Sequence, residues 1–504
     1  MSHYDLIVVG AGNGGLSAAS MASVNGLKTL VLERHNLPGG SATSFVRGRF
    51  EFESALHELC DLGTPEQPGA VRNMFAMFGA DVGWHNEQNL FRLIVPGNID
   101  VVLPAGQEAF LDKMEEEVPG CRESLEQVLH YGKIAQESMA YLNSGAAEPK
   151  VLFEEYPDFL RMVSLTTQEG LDLLGVPERA AHIIETYWCY LGATQHVLDF
   201  MTFACMIYKY VEGKPGLPSM KSHELSLALE KVIRNHGGDI WYNSEVFRII
   251  IEKDTAKGVI LADGQEIRAD HVIANVSPHM LMGQMLAEDV DIPEYPLKLA
   301  NARSLALGLE TMYVGLNRSA AELGIKDYST LIMADEDPEV QLAKSGGIGK
   351  GTFIANCLNT VIPDSSPEGT CTLFFTTFSD NDFWSSLSEE EYFKAKEAHM
   401  KDWVEYYEKV TGIQIAPYIE EITFASPVSF VRYLNTPKGT PYGYQVYKWD
   451  GIVERSNSSE DEQIFRNLRL TGAACENIDG YNLCYMNGVN AAKKTIMDKR
   501  KEGK

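Results

Sequence analysis

The sequence predicts an α/β protein in which a doubly wound sheet is interrupted by a second domain. Three observations support this prediction. Residues 4–34 show the pattern of a strand, a glycine turn, a helix and a second strand, and strands return from about residue 239 after a long helical stretch. The last segment again shows a strand, a glycine loop and a helix. This pattern predicts a discontinuous Rossmann-like nucleotide-binding domain with an inserted α+β domain.

The first strand and turn predict a phosphate site. The YDLIVVG run is largely apolar and ends in glycine, which is typical of a strand buried on both faces. Gly10, Gly12 and Gly15 follow as G-x-G-x-x-G at the head of a helix. The first glycine permits a tight turn, the second lets a pyrophosphate approach the backbone, and the third lets the helix pack closely on the strand. Asn13 and Gly14 lie within the same turn, and we expect them to contact the cofactor.

The second strand ends in an acidic residue. LKTLVLER is another buried strand, and it closes on Glu33 and Arg34. A carboxylate at this point accepts hydrogen bonds from ribose hydroxyls, and it favours a plain adenosine ribose over a 2′-phosphate. These residues predict a dinucleotide, but alone they fit NAD as well as FAD.

The pattern along the chain also predicts domain boundaries. A chain of 504 residues exceeds the ~250–300 residues at which a single core stops growing. We assign 1–105, 221–290 and 445–504 to the nucleotide-binding domain. We assign 106–220, which is rich in amphipathic helices, and 291–444 to a substrate-binding domain.

The segment after Glu33 distinguishes FAD from NAD by resemblance. ERHNLPGGSATS is similar to the ER-x-x-x-PGG-[SR]-[AS]-x-[ST] segment of the flavoproteins that include phytoene desaturases, carotenoid isomerases and retinol saturases, with amine oxidases as more distant relatives. The resemblance implies an FAD cofactor and an FAD-binding role for the discontinuous domain. It assigns further cofactor contacts to Gly39, Gly40, Ser41 and Ala42 in this segment, to Val246 beside the adenine, to Asn275 in VIANVSP, and to Gly472, Asn482 and Leu483 near the C-terminus.

The chain departs from the family pattern in three places. Lys221, Ser222 and His223 replace a step that is usually rich in glycine. Ala55 and Leu483 also stand where glycine is usual.

Four residues are candidates for proton transfer because the resemblance brings them near the flavin. They are His57 and Glu58, just beyond the PGG segment, and Tyr442 and Tyr444 in the late GTPYGY element. Histidine has an ordinary pKa suited to proton transfer near neutral pH. His57 and the two tyrosines also have explanations that involve no proton transfer. His57 can be a hydrogen-bonded core residue, and the tyrosines can line an apolar tunnel. The stretch at 188–210, rich in Met and aromatic residues, predicts either core packing or a wall of such a tunnel.

These features predict an FAD-dependent oxidoreductase that acts on carbon–carbon bonds of an apolar polyene, isoprenoid or long-chain lipid. Desaturation, saturation and double-bond isomerisation all stay open. A single dinucleotide fingerprint, with no CxxC pair among eight cysteines, disfavours a pyridine-nucleotide-disulfide reductase. We therefore expect oxygen, a quinone or no external acceptor for the electrons. Two alternatives are C–N oxidation, as in amine oxidases, and a non-catalytic FAD-bound carrier of an apolar ligand.

Charge and hydropathy exclude other classes of function. A formal net charge of −27 repels nucleic acid and anionic lipid, so we expect no nucleic-acid partner and at most peripheral membrane contact. We expect no metal site, because the cysteines and histidines lack ligand spacing. No secretory signal or uninterrupted apolar run of about 18 residues is visible, so we expect a cytoplasmic protein.

Overall fold

The computed structural model describes residues 3–142, 148–379, 381–451, 454–455, 463–475 and 480–502. The strands within these ranges are β1 (His3–Val9), β2 (Thr29–Leu32), β3 (Ser44–Arg47), β4 (Phe50–Glu53), β5 (Trp84–Asn86), β6 (Asn89–Val95), β7 (Ile99–Pro104), β8 (Gly216–Pro218), β9 (Asp239–Trp241), β10 (Val246–Glu252), β11 (Thr255–Leu261), β12 (Glu266–Ala274), β13 (Gly308–Leu316), β14 (Ser329–Ile332), β15 (Phe353–Cys357), β16 (Cys371–Ser379), β17 (Ile419–Ala425) and β18 (Leu468–Leu470).

The helices are α1 (Asn13–Val24), α2 (Ala70–Met77), α3 (Gln107–Glu117), α4 (Arg122–Leu142), α5 (Pro149–Glu155), α6 (Pro157–Met162), α7 (Thr167–Leu173), α8 (Glu178–Glu185), α9 (Trp188–Leu191), α10 (Phe200–Val211), α11 (Lys221–Asn235), α12 (Pro278–Gln284), α13 (Glu294–Ala302), α14 (Ala320–Leu323), α15 (Pro338–Ala343), α16 (Asn381–Ser386), α17 (Glu389–Thr411), α18 (Pro427–Leu434) and α19 (Tyr481–Glu502). Within the described ranges, none of these helices is long and apolar enough to cross a bilayer.

The first sheet is built around β1, which is parallel to β2 on one side and to β12 on the other. Strand β9 extends the parallel set beyond β2, and β18 pairs parallel with β12. Strands β10 and β11 form an antiparallel edge. Strands from three distant parts of the chain therefore share one sheet, and the predicted discontinuous Rossmann-like fold is confirmed.

The second sheet has the order β17-β13-β16-β15-β14-β6-β7. Strands β13 and β16 are buried along their whole length, and α17 packs its aromatic residues on one face. The helices between α3 and α10 share a core with β6 and β7. This unit matches the expected inserted α+β domain in character.

The first predicted boundary, at residue 105, falls after two strands that lie in the second sheet. Strand β6 pairs parallel with β14, so Leu93 is opposite Leu331. The apolar run of β6 resembles a nucleotide-domain strand locally, and its partner lies more than 200 residues away along the chain. In the structure, the first segment of the nucleotide-binding unit ends before Asn89.

Helix α19 closes the nucleotide-binding unit by lying against α1. A Cβ atom on Gly488 would lie 2.0 Å from the carbonyl oxygen of Gly14 and 2.1 Å from the Ser17 hydroxyl. That hydroxyl donates to the carbonyl of Tyr485 at 2.8 Å. The N-terminal and C-terminal helices can therefore approach this closely only because residue 488 has no side chain.

We predict that Gly488→Ala destabilises the protein by about 2 kcal/mol through overpacking of backbone against backbone. The control is Gly283→Ala in α12, where an added Cβ would meet no atom within 4 Å. This control is expected to hold or raise stability, since alanine favours the helix. Scanning calorimetry measures both. Equal apparent Tm values for the two variants would contradict the close packing of α1 and α19.

Candidate functional site

A cleft with a cavity volume of about 330 Å³ lies at the carboxyl ends of β1, β2 and β12. Gly10 turns the chain with φ +90°, and Gly12 faces the amide of Asn275. A Cβ on Gly14 would lie 2.8 Å from the Thr471 hydroxyl. Gly15 does not line the cleft, because it faces the carbonyl of Gly10, where a Cβ would lie 2.0 Å away. Gly10 therefore lies in the turn, Gly12 and Gly14 lie at the wall of the cleft, and Gly15 lies against the backbone at the end of β1.

The N-terminus of α1 opens into this cleft. Its N-cap is Gly12, which supplies no side-chain hydrogen bond, and its first turn carries no acidic residue. The free N–H groups of a helix start attract phosphate. Two buried side-chain oxygens of residues that line the cleft, Asn13 Oδ1 and Thr471 Oγ1, also have no hydrogen-bond partner within the described ranges of the chain. The cleft thus presents unsatisfied polar groups, as expected of a dinucleotide site.

Glu33 and Val246 lie at the far end of the cleft. The Glu33 carboxylate accepts the N–H groups of Ala11 at 2.7 Å and His35 at 2.8 Å. These bonds hold the carboxylate at the end of β2, and its oxygens keep further lone pairs for ribose hydroxyls. Arg34 also lines the cleft, but its guanidinium donates to the carbonyls of residues 432 and 433.

The PGG segment forms the near wall. Gly39, Gly40 and Ser41 line the cleft, and both glycines have positive φ, at +120° and +61°. Ala42 is buried behind them, and its carbonyl accepts the Ser226 hydroxyl at 2.8 Å. The structure thus places Ala42 in support of the cofactor loop, whereas the sequence predicts a direct contact. Asn275 and Gly472 line the opposite wall, as expected.

A second cavity of about 350 Å³ adjoins the cleft, and Asn13, Ser41 and Cys484 line both. Its wall is largely apolar and comes from α2, α4, α9, α10 and β13, with Met74, Met139, Tyr190, Met206, Tyr210 and Leu309 as its large side chains. The 188–210 stretch serves both predicted purposes. Tyr190 and Tyr210 line the cavity, while Trp188, Phe200 and Phe203 pack in the core.

Three of the four proton-transfer candidates line this apolar cavity, namely His57, Glu58 and Tyr442. Tyr444 instead lines the dinucleotide cleft, and its hydroxyl is 3.2 Å from His279 Nδ1. In a regular extended segment, residues 442 and 444 would point to the same side. Gly443 between them has φ +73°, which breaks that alternation. That turn directs the two tyrosines into different cavities.

Asn482 and Leu483 line the apolar cavity, although the resemblance assigns them to the cofactor. The sequence predicts a loop here, whereas α19 already begins at Tyr481. The Asn482 amide donates to the carbonyl of Cys60 at 2.8 Å. Helix α19 therefore connects the two cavities, with Cys484 facing both.

The unusual Lys221-Ser222-His223 step has a structural role. The backbone N–H and the hydroxyl of Ser222 both donate to the buried carboxylate of Glu53, each at 2.7 Å. Lys221 has φ +61°, a left-handed conformation that suits glycine better. This contact joins the start of α11 to the loop that carries His57.

His57 is half-buried as a residue, and the burial of its ring lowers its pKa to about 4. Its Nε2 atom has no hydrogen-bond partner among the described residues, and its ring lies against Tyr190 and Phe374 with centroids 5.8 and 5.5 Å away. The Tyr328 hydroxyl donates to the His57 carbonyl. The imidazole is therefore neutral near pH 7, whereas the ordinary pKa of histidine suggests a mixture of both forms.

A second carboxyl group, on Glu87, accompanies Glu58. Both side chains are buried, at 7% and 4% exposure, and they interact with each other. Burial raises the pKa of Glu58 to about 8, and burial followed by repulsion from Glu58 raises the pKa of Glu87 well above its usual value. No local pattern marks Glu87, because its neighbour is 29 positions away along the chain.

The cavity also contains one ammonium group, on Lys209. Its pKa is raised, first by the nearby Cys205 and then by Cys60 and Asp61, against the effect of burial. The Asp61 carboxylate accepts the Gln136 amide at 3.1 Å. These groups form a small polar region in an otherwise apolar wall.

Comparison with known proteins agrees with this architecture. Residues 8–77 match the family model of the NAD(P)-binding Rossmann-like domain. The chain is 25% identical to a chloroplastic prolycopene isomerase of Daucus carota, over 87% of this chain and 72% of the relative. It is 23% identical to an all-trans-retinol 13,14-reductase of Danio rerio, over 93% of this chain and 82% of the relative. The resemblance to carotenoid isomerases and retinol saturases is thus confirmed.

Solved structures show the same fold across the whole chain. An oxidoreductase from Methanosarcina mazei has a TM-score of 0.65 at 17% identity, covering 99% of this chain and 100% of that one. A cyclohexylamine oxidase from Brevibacterium oxydans has a TM-score of 0.63 at 13% identity, covering 99% of both chains. The fold is that of flavin-dependent oxidoreductases related to amine oxidases. The chain is an enzyme of this oxidoreductase class, and its cofactor is a flavin.

We predict that His57 makes the protein less stable in acid. Because burial lowers its pKa in the folded state from 6.5 to about 4, the unfolded chain binds the proton more tightly. This contribution to stability is full above pH 6.5 and falls by about 3 kcal/mol as the pH drops to 4. His57→Gln should remove that part of the pH dependence in urea unfolding, and the control His196→Gln, at an exposed position, should keep it. Parallel curves for wild type and His57→Gln would contradict the buried neutral imidazole.

Proposed function

We propose that this protein is an FAD-dependent oxidoreductase that acts on carbon–carbon double bonds of an apolar polyene, isoprenoid or long-chain lipid. The observation that carries the proposal is the apolar cavity that opens from the end of the dinucleotide cleft at Asn13, Ser41 and Cys484. A ligand in that cavity reaches the cofactor site without crossing water. The names of the relatives, prolycopene isomerase and all-trans-retinol 13,14-reductase, support the same class of substrate.

The residues of the cleft fit FAD. Glu33 would accept the adenosine ribose hydroxyls, and the N-terminal amides of α1 with Gly12 and Gly14 would hold the pyrophosphate. Gly40 and Ser41 would hold the part of the cofactor nearest the apolar cavity. Bound FAD supplies the capacity to accept or give a hydride.

The protein itself excludes water and controls protons. Methionine and aromatic side chains adapt to an irregular apolar chain and keep the cavity dry. At neutral pH His57 is an uncharged imidazole, and burial keeps Glu58 largely protonated. Apart from the region of Lys209 and Asp61, the wall is uncharged and carries a carboxylic acid, which suits an uncharged unsaturated substrate because it avoids an unpaired charge beside it.

C–N oxidation is the second candidate function. The fold neighbours include a cyclohexylamine oxidase and a putrescine oxidase, and carboxyl groups beside tyrosines are groups that bind an ammonium ion. Burial raises the pKa of Glu58, which weakens that attraction, so we favour the apolar substrate. The apolar partner, the oxygen, quinone or absent electron acceptor, and the cytoplasmic location stay predictions.

We predict that the bound flavin responds to polyenes and not to amines. The flavin-loaded protein, chemically reduced under argon, is mixed with prolycopene or all-trans-retinol, while the oxidised protein is mixed with cyclohexylamine or putrescine. Return of the oxidised flavin spectrum with a polyene, or an isomerised product on chromatography, supports the proposal. Bleaching by an amine instead would establish C–N oxidation, and a flavin and polyene that both stay unchanged would indicate a carrier.

We predict that Gly14→Val abolishes flavin binding. Its side chain would meet the Thr471 hydroxyl at 2.8 Å and the backbone nitrogen of Gly472 at 2.9 Å, which closes the phosphate end of the cleft. Gly283→Ala, remote from the cleft, serves as the control. Chromatography of the cofactor released by heat gives its identity and its ratio to protein. Release of FMN, or a full FAD content in Gly14→Val, would contradict the assignment.

A further inference from the structure

We propose that Glu58 and Glu87 form a proton-sharing carboxyl pair, in which Glu87 stores a proton and Glu58 delivers one to a carbon atom of the substrate. The inference rests on the proposed function, since it places an unsaturated substrate in the apolar cavity. It goes further by assigning the proton donor and by favouring two of the three possible reactions.

The backbone brings the two residues together through β8. The N–H of Glu87 donates to the carbonyl of Pro215 at 3.1 Å. On the other side, Leu59 and Gly216 exchange both of their backbone hydrogen bonds, at 2.9 and 3.0 Å. A Cβ on Gly216 would lie 2.4 Å from the carbonyl oxygen of His85. The segment that carries Glu58 and the segment that carries Glu87 therefore flank the same short stretch of backbone, residues 215–216.

The surroundings of Glu58 and Glu87 favour a state in which at least one of the two carboxyl groups is protonated. None of the four carboxyl oxygens has a hydrogen-bond partner in the described part of the chain, and all four are buried. The side chain of Glu58 interacts with Glu87 and Tyr190. Two adjacent carboxylates without a cation cannot both be ionised in a dry site, so at least one stays protonated.

The other groups that face the pair are neutral at physiological pH. They come from every element packed around it and are Cys60, Tyr187, Cys189, Tyr190, Tyr210 and Tyr328. The cation of the cavity, Lys209, interacts instead with Cys60, Asp61 and Cys205. Burial raises the pKa of both carboxyls, and the proton is released by the pair as a unit.

The two members occupy different positions relative to the cavity. Glu58 lines it, whereas Glu87 is not among its lining residues and lies behind Glu58. Glu58 is therefore placed to donate a proton into the cavity, and Glu87 is placed to return a proton to Glu58. Glu58 is therefore the catalytic residue, and Glu87 is a positioning residue that acts through it.

A proton from Glu58 can serve two reactions, saturation and double-bond isomerisation. The O–H bond of Glu58 breaks, and the electron pair of the double bond forms a C–H bond with that proton at one carbon. In saturation, the neighbouring carbon then accepts a hydride from reduced FAD, and the pair regains its proton from solvent. In isomerisation, another proton returns from the substrate to Glu58, so no electrons are exchanged. Desaturation needs a base at the outset, and a resting acid favours saturation or isomerisation over it.

The first test does not depend on turnover. We compare the flavin-loaded wild type with a double variant, Glu58→Gln and Glu87→Gln, and with the surface control Glu66→Gln. In the wild type and the control, the infrared C=O stretch of protonated carboxyls should persist near neutral pH, and the double variant should lose the carboxyl band of the pair, keeping only the part from the buried Glu185, whose pKa burial also raises to about 8. A pKa raised in the folded state gives stability that is lost as pH rises from 4.5 through about 8. The urea midpoint should therefore fall over this range in the wild type more than in the double variant. An unchanged infrared spectrum and equal midpoint shifts would overturn the pair.

The second test follows the proton. The reduced wild type is given all-trans-retinol in D₂O, and product should carry one solvent deuterium on carbon. Glu58→Gln should lower turnover at least about 100-fold. Glu87→Gln should move the alkaline limb of the pH–rate profile to higher pH by about one unit, because the interaction with the Glu87 carboxyl lowers the pKa of Glu58, and Glu87→Asp should restore it in part. Wild-type turnover in Glu58→Gln, or an unchanged profile in Glu87→Gln, would overturn the proposal.

The two tests separate the two failures. If the carboxyl band is present and no polyene reacts with the wild type, the proposed function is wrong while the pair stands. If polyenes react and the band is absent, the function stands while the pair is wrong.

Discussion

The close approach of backbone to backbone at the end of β1 is the constraint on which the rest of the structure depends. Gly14 lies against Gly472, and Gly488 lies against Gly14, so segments more than 450 residues apart touch without side chains between them. This contact leaves the first amides of α1 uncovered and fixes α19 in place. The same helix then carries Asn482 and Leu483 to the apolar cavity, so one contact positions both halves of the site.

The sequence is informative where the determinant is local. The strand, turn and helix of residues 4–24 and the carboxylate of Glu33 follow from adjacent residues, and the structure places them at the cleft as expected. The sequence is uninformative where the partner of a residue or strand lies far away along the chain. The run of β6 finds β14 in the second sheet only after folding, and Glu87 approaches Glu58 only because β8 lies between their segments.

Electrostatic properties are the hardest to anticipate from residue types. Histidine suggests a group that titrates near neutral pH, yet burial makes His57 a neutral base of low pKa. Glutamate suggests a carboxylate, yet burial raises the pKa of Glu58 to about 8 and keeps it largely protonated at pH 7. The chain has a net charge of −27, while the groups around His57 and Glu58 are largely uncharged. That difference between surface and cavity suits an enzyme that binds an apolar substrate away from water.

The most direct measurement of the central claim is a crystal structure of the flavin-loaded protein with a bound polyene. We predict continuous electron density for the polyene between Met74, Met139 and Met206. This density should end beside Ser41 and Cys484, where the two cavities meet. Density for the polyene only on the surface, with ordered water filling the cavity around Glu58, would contradict it.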